Sequence, residues 1–164
     1  MTTIRKFAEP DWPDVWRLIA PVFRSGETYA IAREITEAEA RRLWIETPTA
    51  TYLALAENDV AVGTYFIKPN QAGGGAHVCN CGYIVGENAR GRGVAAAMCL
   101  HSQREAIRLG FRAMQFNFVV STNEGAVRLW KKLGFEIVGR LPGAFAHPSL
   151  GFVDAYVMFK QLEA

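Results

Sequence analysis

Cysteine is scarce in this chain, and the three present, Cys79, Cys81 and Cys99, form an odd set with no framework spacing. That excludes a disulfide-stapled secreted scaffold and points to a reducing, cytoplasmic setting. Cys79 and Cys81 share one face of a strand, but further ligands are missing nearby, so core thiols are expected in place of a metal site. Charge of one sign is lacking too: 18 Lys and Arg stand against 16 Asp and Glu, a net of +2. The basic residues are spread out, so no nucleic acid is expected as a partner. Apolar runs are too short to span a bilayer, and the first residues mix charge with proline, unlike a signal peptide, so no membrane partner is expected either. There is no repeat, low-complexity segment or linker, and residues 1–164 read as a single domain with half of its residues apolar.

What the chain does have is a glycine-rich turn between an apolar strand and a long helix. From Gly82 through Tyr83, Ile84 and Val85 the sequence is strand-like; Arg90, Gly91, Arg92, Gly93, Val94 and Ala95 then open the helix. Glycines let backbone amides approach a ligand, and a helix's first turn offers unpaired N–H groups and the positive end of its dipole. With two arginines alongside, this reads as a cradle for a diphosphate.

Elements follow from periodicity. A strand is expected at residues 3–7, and then a helix capped by Asp11 with Trp12, Val15, Trp16 and Ile19 on one face. A polar connection is expected over 21–34, then a second helix from the capping box Thr36 to Glu39, carrying Ala40, Leu43 and Trp44. Strands are expected at 51–57 and 61–68 around Asn58-Asp59, and at 76–85. A helix over 93–109 begins with Ala95, Ala96 and Ala97, small enough for close approach to a sheet. A strand at 113–119 and a helix capped by a box from Ser121 to Glu124 follow, with Ala126, Leu129, Trp130 and Leu133 on one face and Gly134 as its stop. Strands at 136–140 and 152–160, joined by a loop, complete the chain.

Two segments carry a family resemblance. Arg90, Gly93 and Ala95 after Val85 match Arg-x-x-Gly-x-Ala, and Asn123, Ala126, Trp130, Gly134 and Phe135 are similar to Asn-x-x-Ala-x-x-x-Tyr-x-x-x-Gly-Phe. Together, and in this order, they resemble the GCN5-related N-acetyltransferase (GNAT) superfamily. The resemblance implies an α/β fold: a mixed, mostly antiparallel sheet of six to seven strands flanked by about four helices. It implies acetyl-CoA as cofactor, held by the loop amides of Arg90 to Ala95, by the backbone of Tyr83, Ile84 and Val85, and by Asn123. The backbone donors at the strand end also serve the oxyanion that acyl transfer must stabilise. Asn123 is read both as a cofactor contact and as a helix cap, roles that do not exclude one another.

Trp130 departs from the pattern. Where the family commonly has a tyrosine that protonates the leaving thiolate, an indole N–H donates a hydrogen bond but yields no proton. Asn80 and Asn117 are primary amides amid apolar strands; either they pair within the protein or they meet a polar substrate, without serving as bases. With Asn123, Phe116 and Trp130 they resemble a fungal subgroup acting on proline analogues such as azetidine-2-carboxylate, which implies substrate handling by Asn80 and Asn117.

The base is open between Glu87, His77, His147 and a water relay, the last being the default. Asp154 reads as a paired structural carboxylate or a partner for a substrate ammonium, and His101 as helix packing. Lys131 and Lys132 read as a solvated face. The segment from Phe23 to Ile45, with Gly26, Glu27, Thr28 and Tyr29, is expected to wall the substrate pocket. The expected activity is acetyl transfer to a small-molecule amine by direct attack in a ternary complex. Alternatives are acetylation of a peptide or protein N-terminus and a non-catalytic acyl-CoA-binding module; a homodimer is plausible from the family's habits.

Overall fold

The structure, a computed structural model, describes residues 2–162; Met1, Glu163 and Ala164, within the expected domain span, lie outside the described residues. Seven strands form one sheet in the order β1-β2-β3-β4-β5-β7-β6. They are β1 (Thr3–Lys6), β2 (Ala50–Leu55), β3 (Ala61–Pro69), β4 (Val78–Val85), β5 (Ala113–Val120), β6 (Glu136–His147) and β7 (Gly151–Gln161). The helices are α1 (Trp12–Ser25), α2 (Glu37–Arg41), α3 (Val94–Arg108) and α4 (Glu124–Lys132). The mixed, mostly antiparallel sheet and its four α-helices match the expected fold.

All neighbouring strands run antiparallel except β4 and β5, which are parallel and pair only at Val78 with Ala113 and Cys79 with Met114. Beyond those two rungs the strands part. The alternation of side chains along β3 and β4 divides the core: Tyr65, Cys79 and Cys81 pack with Met98 and Cys99 of α3, whereas Phe66 and Ile84 pack with Phe23 and Trp44 on the opposite face.

Several local expectations are corrected. Asp11 does not cap α1; its carboxylate accepts from the Ala8 N–H at 2.7 Å and from both Arg5 guanidinium nitrogens at 2.7 Å, tying β1 to the helix start. Helix α1 runs through Pro21 to Ser25, where a connection was expected. Proline removes one backbone bond, but Leu18, Ile19 and Phe23 are buried and hold the next turn; Gly26 at φ 67° closes it.

The Thr36–Glu39 capping box forms as expected, with Glu39 N–H donating to Thr36 Oγ1 at 3.3 Å and Thr36 N–H to Glu39 Oε2 at 2.8 Å. The helix is short, however, and widens over Arg42–Glu46 into a π-helical turn that seats Trp44 against Phe66, with ring centroids 4.8 Å apart. Ala95, Ala96 and Ala97 are half-exposed and do not make the close approach of α3 to the sheet. That approach occurs at Gly63, where a Cβ would stand 3.0 Å from Met98 Cε and 3.1 Å from Val94 Cγ1.

No capping box forms at Ser121; Asn123 occupies the cap position without a side-chain bond to the helix. The last hairpin is far longer than expected, because the interruption at Pro142 and Gly143 is local and pairing resumes at Phe145. The irregularity lies between Leu141 and Phe145, and Gly143, at φ 57°, donates its N–H to Asp154 at 2.9 Å. An edge strand tolerates proline and a bulge because it has no partner on its outer side.

Candidate active site

The parting of β4 and β5 opens a cleft of about 1380 Å³ that reaches from the start of α3 to Asn117 and Trp130. Its β4 edge follows from strand parity. Gly86 donates to Val62 and Asn70 donates to the Val78 carbonyl, so the bonded pairs along β3 and β4 include Thr64 with Ile84 and Phe66 with Gly82. The backbone groups of Ile84 are therefore committed to β3, while those of Tyr83 and Val85 turn toward the gap.

Past Val85 the chain makes a short 3-10 turn and passes into the exposed loop Arg90 to Gly93. Gly91 and Gly93 adopt φ of 74° and 78°, which side chains disfavour. Nothing lies within 4 Å of where a Cβ would sit on either, so the need for glycine is conformational and the space above is open. Helix α3 then starts at Val94 with no side-chain cap. Its first N–H groups, together with Arg90 and Arg92, line the cleft mouth with positive charge that suits an anion.

Across the gap stand Phe116 to Val120 of β5 and Asn123, Ala126, Leu129 and Trp130 of α4. Asn123 is half-buried and its side-chain amide has no partner among the described residues, so the cleft is where that amide can bond. Trp130 packs between Tyr83 and Phe116, each ring centroid 5.1 Å from its own.

The other face of the gap is lined by Tyr29, Phe66 and Gly82. Tyr29 Oη donates to the Tyr83 carbonyl at 2.9 Å. Burial raises the Tyr29 phenol pKa above its ordinary value, so the hydroxyl keeps its proton. Position 82 must be small, since a Cβ there would lie 2.6 Å from Phe66 Cε1 and 3.2 Å from Tyr29 Oη.

Asn80 and Asn117 both line the cleft but do not bond to each other. Asn80 Nδ2 donates to the Gln115 carbonyl at 3.0 Å, leaving Oδ1 unpaired. Asn117 accepts from Gln115 Nε2 at 2.9 Å and donates to Asn70 Oδ1 at 2.6 Å. Asn70 and Gln115 were not singled out from sequence: Gln115 shares the alternation of β5 with Asn117, while Asn70, just past β3, donates its N–H to the Val78 carbonyl at the start of β4.

The candidate bases divide clearly. His77 is exposed on the approach to β4, at the end away from the glycine loop, and His147 bonds to Ser149 in the β6–β7 turn. Neither lines the cleft, whose carboxylates are Glu27 and Glu87, both exposed. Asp154 is a structural carboxylate, 3.0 Å from Arg140 and bonded to the Gly143 N–H. His101 packs under the sheet, its Nδ1 2.7 Å from Tyr65 Oη, and burial lowers its pKa. All three cysteines are buried and free; burial pushes the Cys99 thiol up to about 11 and raises Cys81 well above its usual value, so neither is a nucleophile. No helix of the described residues is long and apolar enough to cross a membrane.

The geometry agrees with what the chain is similar to. The family model for the acetyltransferase (GNAT) family matches residues 12–135. N-acetyltransferase aca1 of Schizosaccharomyces pombe is 33% identical over 153 aligned residues, covering 80% of this chain and 71% of that protein. A GCN5-related N-acetyltransferase from Kribbella flavida superposes with a TM-score of 0.93 at 41% identity, covering 98% of each chain. A phosphinothricin acetyltransferase from Sinorhizobium meliloti, solved with acetyl-CoA, shares the fold at a TM-score of 0.86 and 19% identity, over 98% of this chain and 88% of that one. The cleft, the glycine turn and these likenesses converge: the chain belongs to the GNAT acetyltransferase family and is an N-acetyltransferase.

Proposed function

We propose that the protein transfers the acetyl group of acetyl-CoA to a small-molecule amine by direct attack, both substrates meeting in the β4–β5 cleft. The observation that carries this reading is the continuous donor surface from the gap-facing backbone of Tyr83 and Val85 to the uncapped start of α3 beside Arg90 and Arg92. The cofactor supplies an activated acetyl group when bound. Loop amides from Gly91 to Ala95 and the two arginines hold its diphosphate, and Asn123 with the β4 edge holds the arm behind it.

Acceptors on the opposite face suit an amine. Tyr29 spends its hydrogen on the Tyr83 carbonyl, so only oxygen lone pairs remain for the cleft, and Asn80 keeps Oδ1 free. Asn117, fixed by Gln115 and Asn70, retains one amide hydrogen for a substrate carboxylate or carbonyl, consistent with an amino acid or proline analogue. With the cleft's carboxylates exposed, water carries the amine's proton away.

The reading extends to a single catalytic domain in the cytoplasm, where free thiols stay reduced, and to a homodimer. Phe152, 82% exposed, and Leu150, 61% exposed, on the edge hairpin support pairing with a second copy. Sedimentation velocity tests the dimer; a monomer at micromolar concentration refutes it.

Isothermal titration with acetyl-CoA tests the foundation, and no binding at micromolar concentrations removes it. A thiol-release screen against amino acids, proline analogues, polyamines and peptides then identifies the amine.

A further inference from the structure

The segment between α1 and α2 has no regular structure, yet it supplies Glu27, Thr28, Tyr29 and Ile31 to the cleft. Among the described residues its main chain makes no hydrogen bond to the sheet. Gly26 N–H turns back to the Phe23 carbonyl at 3.2 Å and Ile35 N–H to the Ala32 carbonyl at 3.1 Å. Side chains hold the loop. In the gap, Tyr29 Oη reaches the Tyr83 carbonyl. At the base, two arginines each bond to the other's main chain. Arg24 donates from Nη1 to the Arg33 carbonyl and from Nη2 to the Ile35 carbonyl at 2.8 Å, and Arg33 Nε donates to the Arg24 carbonyl at 2.7 Å. Neither guanidinium has a carboxylate partner among the described residues; that of Arg24 lies 5.7 Å from the Trp16 ring centroid. The Arg33 stem crosses Gly26, where a Cβ would stand 2.8 Å from Arg33 Cδ.

We propose that Arg24 and Arg33 form a reciprocal clasp that closes the loop of residues 26–35 and so holds Tyr29 in the cleft wall, which makes them positioning residues for the amine. This rests on the reading above in which Tyr29 meets the amine. Ordering an irregular loop costs backbone entropy, and three bonds donated by charged groups at its base offset that cost. With the clasp open, the Tyr29 bond to Tyr83 is the loop's one polar tie to the sheet among the described residues, and the phenol leaves the gap more often. Neither arginine lines the cleft, so their effect reaches the amine through Tyr29 and not by contact.

The test uses tetranitromethane, which nitrates tyrosine through its phenolate, on the full chain, with each site quantified by peptide mass spectrometry. Burial keeps Tyr29 protonated and shielded, so its nitration in the wild type is slow. Arg24→Met keeps an apolar stem beside Trp16 and removes the donors. Tyr29 nitration then rises about tenfold, the effect of one lost hydrogen bond on a local opening, while Tyr65 and Tyr83 react as slowly as before. Arg33→Met gives the same pattern. No rise at Tyr29 in either variant, or an equal rise at every tyrosine in both, overturns the proposal. In thiol release with the panel of amines, both variants raise the KM for the amine about tenfold at an unchanged acetyl-CoA Kd, and neither adds to the loss in Tyr29→Phe. Additive losses overturn the clasp alone, whereas a silent Tyr29→Phe sinks the role of Tyr29 and the positioning role with it. If no amine releases thiol from the wild type, the transfer reading falls and nitration still decides the clasp.

Discussion

Tyr29 Oη donates to the main-chain carbonyl of Tyr83 at 2.9 Å, joining residues 54 positions apart across the opening between β4 and β5. The bond orients the phenol with its lone pairs toward the cleft and occupies a strand carbonyl that otherwise lacks a partner. Tyr29→Phe removes the acceptor proposed for the amine while retaining the ring packed on Phe23 and Trp44. Steady-state kinetics should show kcat/KM for the amine falling about tenfold, in keeping with one lost hydrogen bond, with acetyl-CoA affinity unchanged. An equal loss of cofactor affinity contradicts the role.

Asn117 holds its orientation through Gln115 and Asn70. Asn117→Ala should cut turnover and leave cofactor affinity nearly unchanged by calorimetry. Asn70→Ala, which touches only the support, should move the same parameters in the same direction by less. If Asn70→Ala is silent, Asn117 does not need its neighbour.

Gly93 precedes α3 with a φ of 78°. Gly93→Ala places a side chain where space is open but the backbone is disfavoured, at about 1–2 kcal/mol. The resulting shift of the loop should weaken acetyl-CoA binding by roughly tenfold while lowering the melting temperature by only a few degrees. Preserved affinity argues that the loop amides do not hold the ligand.

Asp11 sits against Arg5, and that guanidinium bond holds its carboxyl below its ordinary 3.8. A depressed folded pKa means stability present above 3.8 and lost as pH falls through the folded value. Asp11→Asn should therefore lower the melting temperature at neutral pH and flatten its decline on acidification. An unaltered acid limb in thermal melts rules the pair out as its source.

Local chemistry made the glycine turn, the Thr36 capping box and most strand positions legible, because each depends on neighbours within a few residues. Pro21 and Pro142 misled for the same reason: proline acts locally, but burial of Phe23 in one case and an unpartnered outer edge in the other outweighed it. The residues around Asn123 suit both a cofactor contact and a helix cap; the structure shows no side-chain cap bond there, which leaves the amide for the cleft.

Taken by itself, the sequence determined the order of elements, the glycine turn and the family, all written in contiguous residue types and spacings. Tertiary structure alone decided that β4 and β5 part after Cys79 and Met114, and that Asn70 supports Asn117. It also decided that Trp130 packs between Tyr83 and Phe116 beside the cleft. These depend on long-range packing and on which polar groups face the gap once the sheet has formed, and no local pattern encodes that.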